Sequence, residues 1–280
     1  MIESYLMEAK PQIDRDRLSI VLGAAALGFT LSKLVQLPTQ RVGVEVLGSQ
    51  LGVQVTTEWL MLAFVVGLVA TGVHGLLRLH PGCPDGHVCH TFIFWILPGL
   101  TALAVGLLLG RADEMPLWVL GMSGGIILIG IAISSEFSAL GRTEDEQLKA
   151  ELFTTVVIYL LAGTLFLLIY GTRARTLLTA PVLFGVSTLL AMRHLWRRSE
   201  RPARIVLYGC VVGLVMSQTV WALSYWKITA LSGAALLLLV FYAAAGIARQ
   251  SLREEMSARA VLEYGLVGLV AAGLVLLLHI

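Results

Sequence analysis

The sequence predicts an all-α polytopic membrane protein: a bundle of nine transmembrane helices with a short extracytoplasmic β-hairpin between the first and second. Three observations carry this. Of the 280 residues 57% are hydrophobic and only 14% charged, against about 25% charged in an ordinary globular protein. The mean hydropathy of +0.84 comes from unbroken apolar runs of bilayer-spanning length rather than scattered core positions. No alternating-strand pattern of a barrel is present, and helices are the other backbone form that satisfies its own amides in hydrocarbon.

The runs fall at roughly 18–37, 58–79, 91–109, 116–134, 150–170, 176–195, 203–226, 228–248 and 260–279, each about 20 residues, the length that crosses a bilayer. The first follows a mixed-charge segment from Glu3 to Arg17 and lacks a small-residue cleavage site. It reads as a retained helix rather than a removed signal peptide. Nine such spans leave about 100 residues for connections, so no soluble catalytic domain is expected and residues 1–280 read as one transmembrane domain.

Between the first two runs, Val42, Val44 and Val46 alternate on one side of Gly48-Ser49, and Leu51, Val53 and Val55 on the other. A two-residue turn there would set them face to face, which predicts the outer β-hairpin at 41–56, with Glu45, Gln50 and Gln54 toward water. Farther on, Thr143 with Glu146 and Ser251 with Glu254 are capping-box pairs. They predict that helices five and nine begin before their apolar runs.

Orientation follows from Lys and Arg. With the N-terminal side inside, fourteen of the twenty fall on inner segments, from Lys10, Arg15 and Arg17 through Arg193, Arg197, Arg198, Arg201 and Arg204 to Arg259. Six, including Lys33, Arg41 and Lys227, fall outside. The excess predicts a multi-pass cell-membrane protein with a cytoplasmic N-terminus and, after an odd number of crossings, an extracytoplasmic C-terminus. Trp59, Trp118, Trp221 and Trp226 near outer ends, and Trp95 and Trp196 near inner ends, suit interfacial belts. A net charge of +2 gives no clustered positive footprint, so nucleic acid is not an expected partner; membrane lipids, a membrane-protein partner or a second copy are.

Two clusters stand out as sites. His80, Cys83, His87, Cys89 and His90 place five metal-capable side chains within eleven residues, suited to Zn. The segment's Pro and Gly equally describe a plain inner turn, and a Cys83 to Cys89 bridge is a third reading, disfavoured on an inner side that keeps thiols reduced. On the seventh run Ser217, Gln218, Trp221, Ser224 and Tyr225 form a polar and aromatic stripe at helical spacing, suited to a ligand cavity or to interhelical hydrogen bonds. Cys210 lies in an apolar run and reads as a small packing residue.

Gly121-Met122-Ser123-Gly124-Gly125 resembles the Gly-x-Ser-Gly of rhomboid intramembrane proteases, a family that pairs the Ser with a His two helices later; His194 is the histidine of helix six. The resemblance covers only those residues. Ser123 falls in the outer half of its helix and His194 at the inner end of its own, most of the membrane apart at 1.5 Å per residue. Close packing through Gly121 and Gly125, and likewise Gly209 and Gly213, is the simpler reading. His74, four residues before Arg78, reads as a packing residue or a ligand contact. Lys33 and Glu58 lie where an ion pair would join the first two helices. No charge falls near a midplane, which disfavours ion-coupled pumping.

Three functions follow. The first is a non-enzymatic bundle binding a lipid, a hydrophobic ligand or a membrane-protein partner. The second is an uncoupled or facilitative small-molecule transporter using the stripe and the helices bearing Pro98 and Pro181. The third is a membrane enzyme using the 80–90 Cys/His loop.

Overall fold

The computed structural model describes residues 14–35, 40–46, 49–55, 57–77, 92–138, 144–173, 176–196 and 202–252, with Gly265, Gly268 and Gly273. Eight helices are described: α1 (Arg15–Leu34), α2 (Thr57–Leu77), α3 (Phe92–Leu109), α4 (Met115–Ser138), α5 (Glu144–Gly171), α6 (Thr176–Leu195), α7 (Pro202–Leu223) and α8 (Ala230–Leu252). Seven are long and apolar enough to cross a membrane, and α3 contributes a shorter apolar stretch, Ile93–Leu109. The protein is therefore a polytopic membrane helical bundle. The count differs from the nine spans expected: the 260–279 run lies outside the described residues except for the three glycines, whose backbone is helical.

Helix ends follow local chemistry more closely than hydropathy does. Asp14 caps α1: its carboxylate accepts from the Asp16 amide at 3.2 Å and pairs with Arg17 at 3.0 Å, so the helix starts three residues before its apolar run. Pro202 opens α7, where the missing N–H costs nothing. Thr229 caps α8, its hydroxyl accepting from the Ser232 amide at 3.4 Å. The 28 residues of α5 begin at Glu144, directly after Thr143, and extend about 42 Å, longer than the hydrocarbon layer. Of the second capping-box pair, Ser251 is described and Glu254 lies outside the described residues. Ser251 lies inside α8, and its hydroxyl sits 2.7 Å from that of Tyr208 on α7.

Between α1 and α2, β1 (Gln40–Val46) and β2 (Ser49–Val55) run antiparallel. Val42 lies opposite Val53, Val44 opposite Leu51 and Val46 opposite Ser49. That is two residues away from the register a Gly48-Ser49 turn would impose. A slip of two keeps every residue on its own face, so the alternating pattern alone does not choose between the two registers.

The chain divides into two compact units, Met1–Leu152 and Phe153–Ile280. In the first, α1 packs on α2 and α4, α2 on α3, and α3 on α4, around Ala25, Val65, Val69, Val73, Leu97, Ala102 and Ile129. Glycines set the spacing. A Cβ on Gly28 would collide with Val65, one on Gly106 with Leu62, and one on Gly125 with Val105. Lipid offers no hydrophobic drive between helices, so close backbone approach supplies the van der Waals contact instead. In the second unit α6 packs on α7, and α8 on both. Phe241 joins α8 to α5 through edge-to-face contacts with Phe166 at 5.7 Å and Tyr159 at 6.0 Å.

Candidate functional site

The stripe on α7 owes its direction to the opposite side of that helix. Gly209 and Gly213 face α6 so closely that a Cβ on Gly209 would lie 2.6 Å from Met192 Cγ, and one on Gly213 would lie 2.8 Å from the Phe184 carbonyl and strike Thr188 Oγ1. The Thr188 hydroxyl is buried without a conventional partner. It occupies the space that a side chain on Gly213 would need. The reading of Gly209 and Gly213 as a packing face matches this geometry.

With that face turned inward, Gln218, Trp221, Ser224 and Tyr225 are exposed and Ser217 is half-buried. The helix ends at Leu223. Ser224 and Tyr225 therefore belong to the turn beyond it, where Ser224 Oγ donates to the Trp221 carbonyl at 2.6 Å and the Tyr225 amide to the Ala222 carbonyl at 3.3 Å. Four of these five residues are thus on the surface of the second unit, with Ser217 half-buried beside them.

The other candidates separate. His80, Cys83, His87, Cys89 and His90, with the Cys83 to Cys89 bridge, lie outside the described residues. Cys210 is a free, half-buried thiol. Ser123 Oγ donates to the Leu120 carbonyl of its own helix at 2.9 Å, and His194 lies edge-on to Tyr159 at 5.6 Å. A Cβ on Gly121 would approach Leu109 at 3.2 Å, so the Gly121 to Gly125 segment serves α3–α4 packing. His74 packs edge-on against Trp95, with ring centroids 5.0 Å apart. His74 Nδ1 and Trp95 Nε1 are both buried without a hydrogen-bond partner.

Lys33 Nζ donates to the Ala112 carbonyl at 3.2 Å, in the α3–α4 connection; the Glu58 side chain lies outside the described residues. Of the basic run, Arg193 is buried and has a partner, whereas Arg204 is exposed and residues 197–201 are not described. Glu136, near the end of α4, is fully enclosed and likewise partnered. Trp118 is buried in the core of the first unit. It lies only four residues into α4, where a helix ending in the interface and one packed along its whole length read alike in sequence.

Two residues escaped the sequence reading. Tyr159 is an aromatic hub, touching His194, Phe241 and Tyr242. Tyr170 lies over Gly233, where a Cβ would collide with its ring, and its hydroxyl donates to the Leu223 carbonyl at 3.2 Å. Arg173 sits over the same ring at 5.4 Å and donates to the Ile228 carbonyl. A tyrosine within an apolar run is the available signal, since a buried phenol needs a partner.

No curated protein and no solved structure matches the chain. A family model does, over residues 37–278, taking in every described helix but α1. The match covers well over half of the sequence, and the chain belongs to the family described as protein of unknown function (DUF5656).

Proposed function

We propose that this chain is a non-enzymatic membrane bundle, one transmembrane domain in the cell membrane, that binds a lipid, a hydrophobic ligand or a membrane-protein partner. The observation that supports it is the outward stripe on α7, with Gln218, Trp221, Ser224 and Tyr225 exposed. An amide and two aromatic rings on a surface that otherwise meets hydrocarbon suit recognition of another membrane component. Ser217 belongs to the same contact set. The proposal includes a ninth span at 260–279, a cytoplasmic N-terminal side, an extracytoplasmic end after that span, and the paired strands as an outer hairpin. Nucleic acid has no part in it.

The test is purification in a mild detergent followed by identification of whatever remains bound. A lipid, ligand or membrane protein retained by the parent and lost in a Trp221→Ala variant is expected. Two other outcomes point elsewhere. Solute flux into proteoliposomes, abolished in Gln218→Leu, would make the chain a facilitative transporter. Stoichiometric Zn, lost in Cys83→Ser, would make the segment with His80, Cys83, His87, Cys89 and His90 a metal site and favour a membrane enzyme.

A further inference from the structure

The exposed side of α7 is more regular than a stripe of mixed polar residues. Leu207, Val211, Leu214, Gln218 and Trp221 follow one another at steps of four, three, four and three. All five are exposed, the four hydrophobic ones at 49–62 %. The buried residues Ile205, Gly209, Val212, Met216 and Val220 lie two positions away, about 200° round the helix at 100° per residue. One face is therefore committed to the protein's own interior. The other carries the 3.5-residue repeat by which two helices wrap around each other.

Gln218 makes this face distinctive. It stands five residues before the end of α7, about 8 Å along the axis, and so within the spanning length rather than at its end. A carboxamide on that face carries donors and an acceptor that lipid tails leave unmet. Its natural complement is another carboxamide, because the N–H of each can donate to the carbonyl oxygen of the other.

Two copies inserted in one membrane share their topology. Their α7 helices then run parallel, with each residue at the depth of its counterpart. A two-fold axis along the membrane normal brings Gln218 against Gln218, with Leu214 and Trp221 against their own equivalents one step below and above. A single polar residue in an otherwise apolar seam fixes register and the number of helices. A lipid tail fills the same grooves but offers the amide nothing.

We propose that the exposed seam of α7 is the surface through which two copies of this chain associate in the membrane, paired by the Gln218 amides. This rests on the reading of the chain as a bundle that binds a membrane-protein partner, and names that partner as a second copy.

The test uses the full chain in lipid vesicles, in a background with Cys83, Cys89 and Cys210 replaced by Ser. Single Leu207→Cys, Val211→Cys and Leu214→Cys variants, which keep Gln218, are oxidised beside Leu160→Cys and Ile127→Cys, two comparably exposed positions on α5 and α4. Disulfide-linked product of doubled mass is expected at the three seam positions about tenfold faster than at the controls. In a fluorescence-transfer dilution series, Gln218→Leu is expected to weaken association about tenfold, in line with interhelical polar contacts in model peptides. Gln218→Asn should restore most of it.

Equal cross-linking at seam and control positions overturns the proposal, as does association unchanged by Gln218→Leu. So does a seam that cross-links instead to a cysteine placed in the chain's own 260–279 run. If the chain stays single yet retains a lipid or a different membrane protein, only this proposal falls and the broader reading stands. The broader reading falls separately, to solute flux without any retained partner.

Discussion

Tyr170 shows how a single side chain holds the end of a helix in place. Its ring needs the missing Cβ of Gly233 and its hydroxyl needs the Leu223 carbonyl. Arg173, which closes over it, sits at φ 49°, a left-handed conformation uncommon for a residue with a side chain. Tyr170→Phe is expected to cost about 1 kcal/mol, the net value of one hydrogen bond, seen as a lower thermal midpoint in detergent. Glycines separate by the same logic. Gly213→Ala places a methyl against the Phe184 carbonyl and the Thr188 hydroxyl, with an expected loss of about 1–3 kcal/mol from overpacking. Gly185, also in a helix, has nothing within 4 Å of its Cβ position. Gly185→Ala should therefore be neutral or gain up to about 1 kcal/mol from helix propensity. The same substitution is expected to have opposite signs at these two helix-interior glycines.

At the scale of elements, α7 and α8 are joined near one end by the Tyr208 and Ser251 hydroxyls, while α7 and α6 are joined through glycine. The first joint is a polar pair and should behave as one. Tyr208→Phe and Ser251→Ala are expected to be non-additive in a double-mutant cycle, with a coupling of about 0.6 kcal/mol, the average found for polar contacts between membrane helices. Most helices were legible in the sequence because each needs an apolar run of spanning length, and hydropathy reads that directly. Their ends were less legible. The start of α1 depends on Asp14, a polar residue outside the apolar run. Ser251 has the spacing of a cap and lies within α8 beside Tyr208. The strand register was ambiguous for a different reason: a shift of two residues leaves every face unchanged.

For the whole molecule, seven spanning helices among the described residues make release by alkaline washing without detergent an unexpected outcome, and retention in the membrane pellet the expected one. The proposed orientation makes a sharper claim. A membrane-impermeant maleimide should label Gln50→Cys in intact cells, and Cys83 and Cys89 only after the membrane is opened. Labelling on the reverse sides would invert the proposed topology. Of the site, the α7 stripe was legible as a helical pattern of polar and aromatic residues, but not its direction. Ser217 to Tyr225 would serve equally well inside a cavity or on a surface.

By itself the sequence determined that this is a helical membrane protein, because apolar length is a property of each segment alone and the bilayer imposes the same requirement on every one. It also marked Gly209 and Gly213 as a close-packing pair, since a small residue four positions from another needs no distant information to be recognised. Only the tertiary structure decided that α6 is what those glycines meet, that Trp118 belongs to a core, and that Gln218 and Trp221 face outward. Burial depends on which helix lies against which. That is settled by contacts between residues far apart in the chain, and nothing in one helix's own periodicity says which of its faces a neighbour will cover.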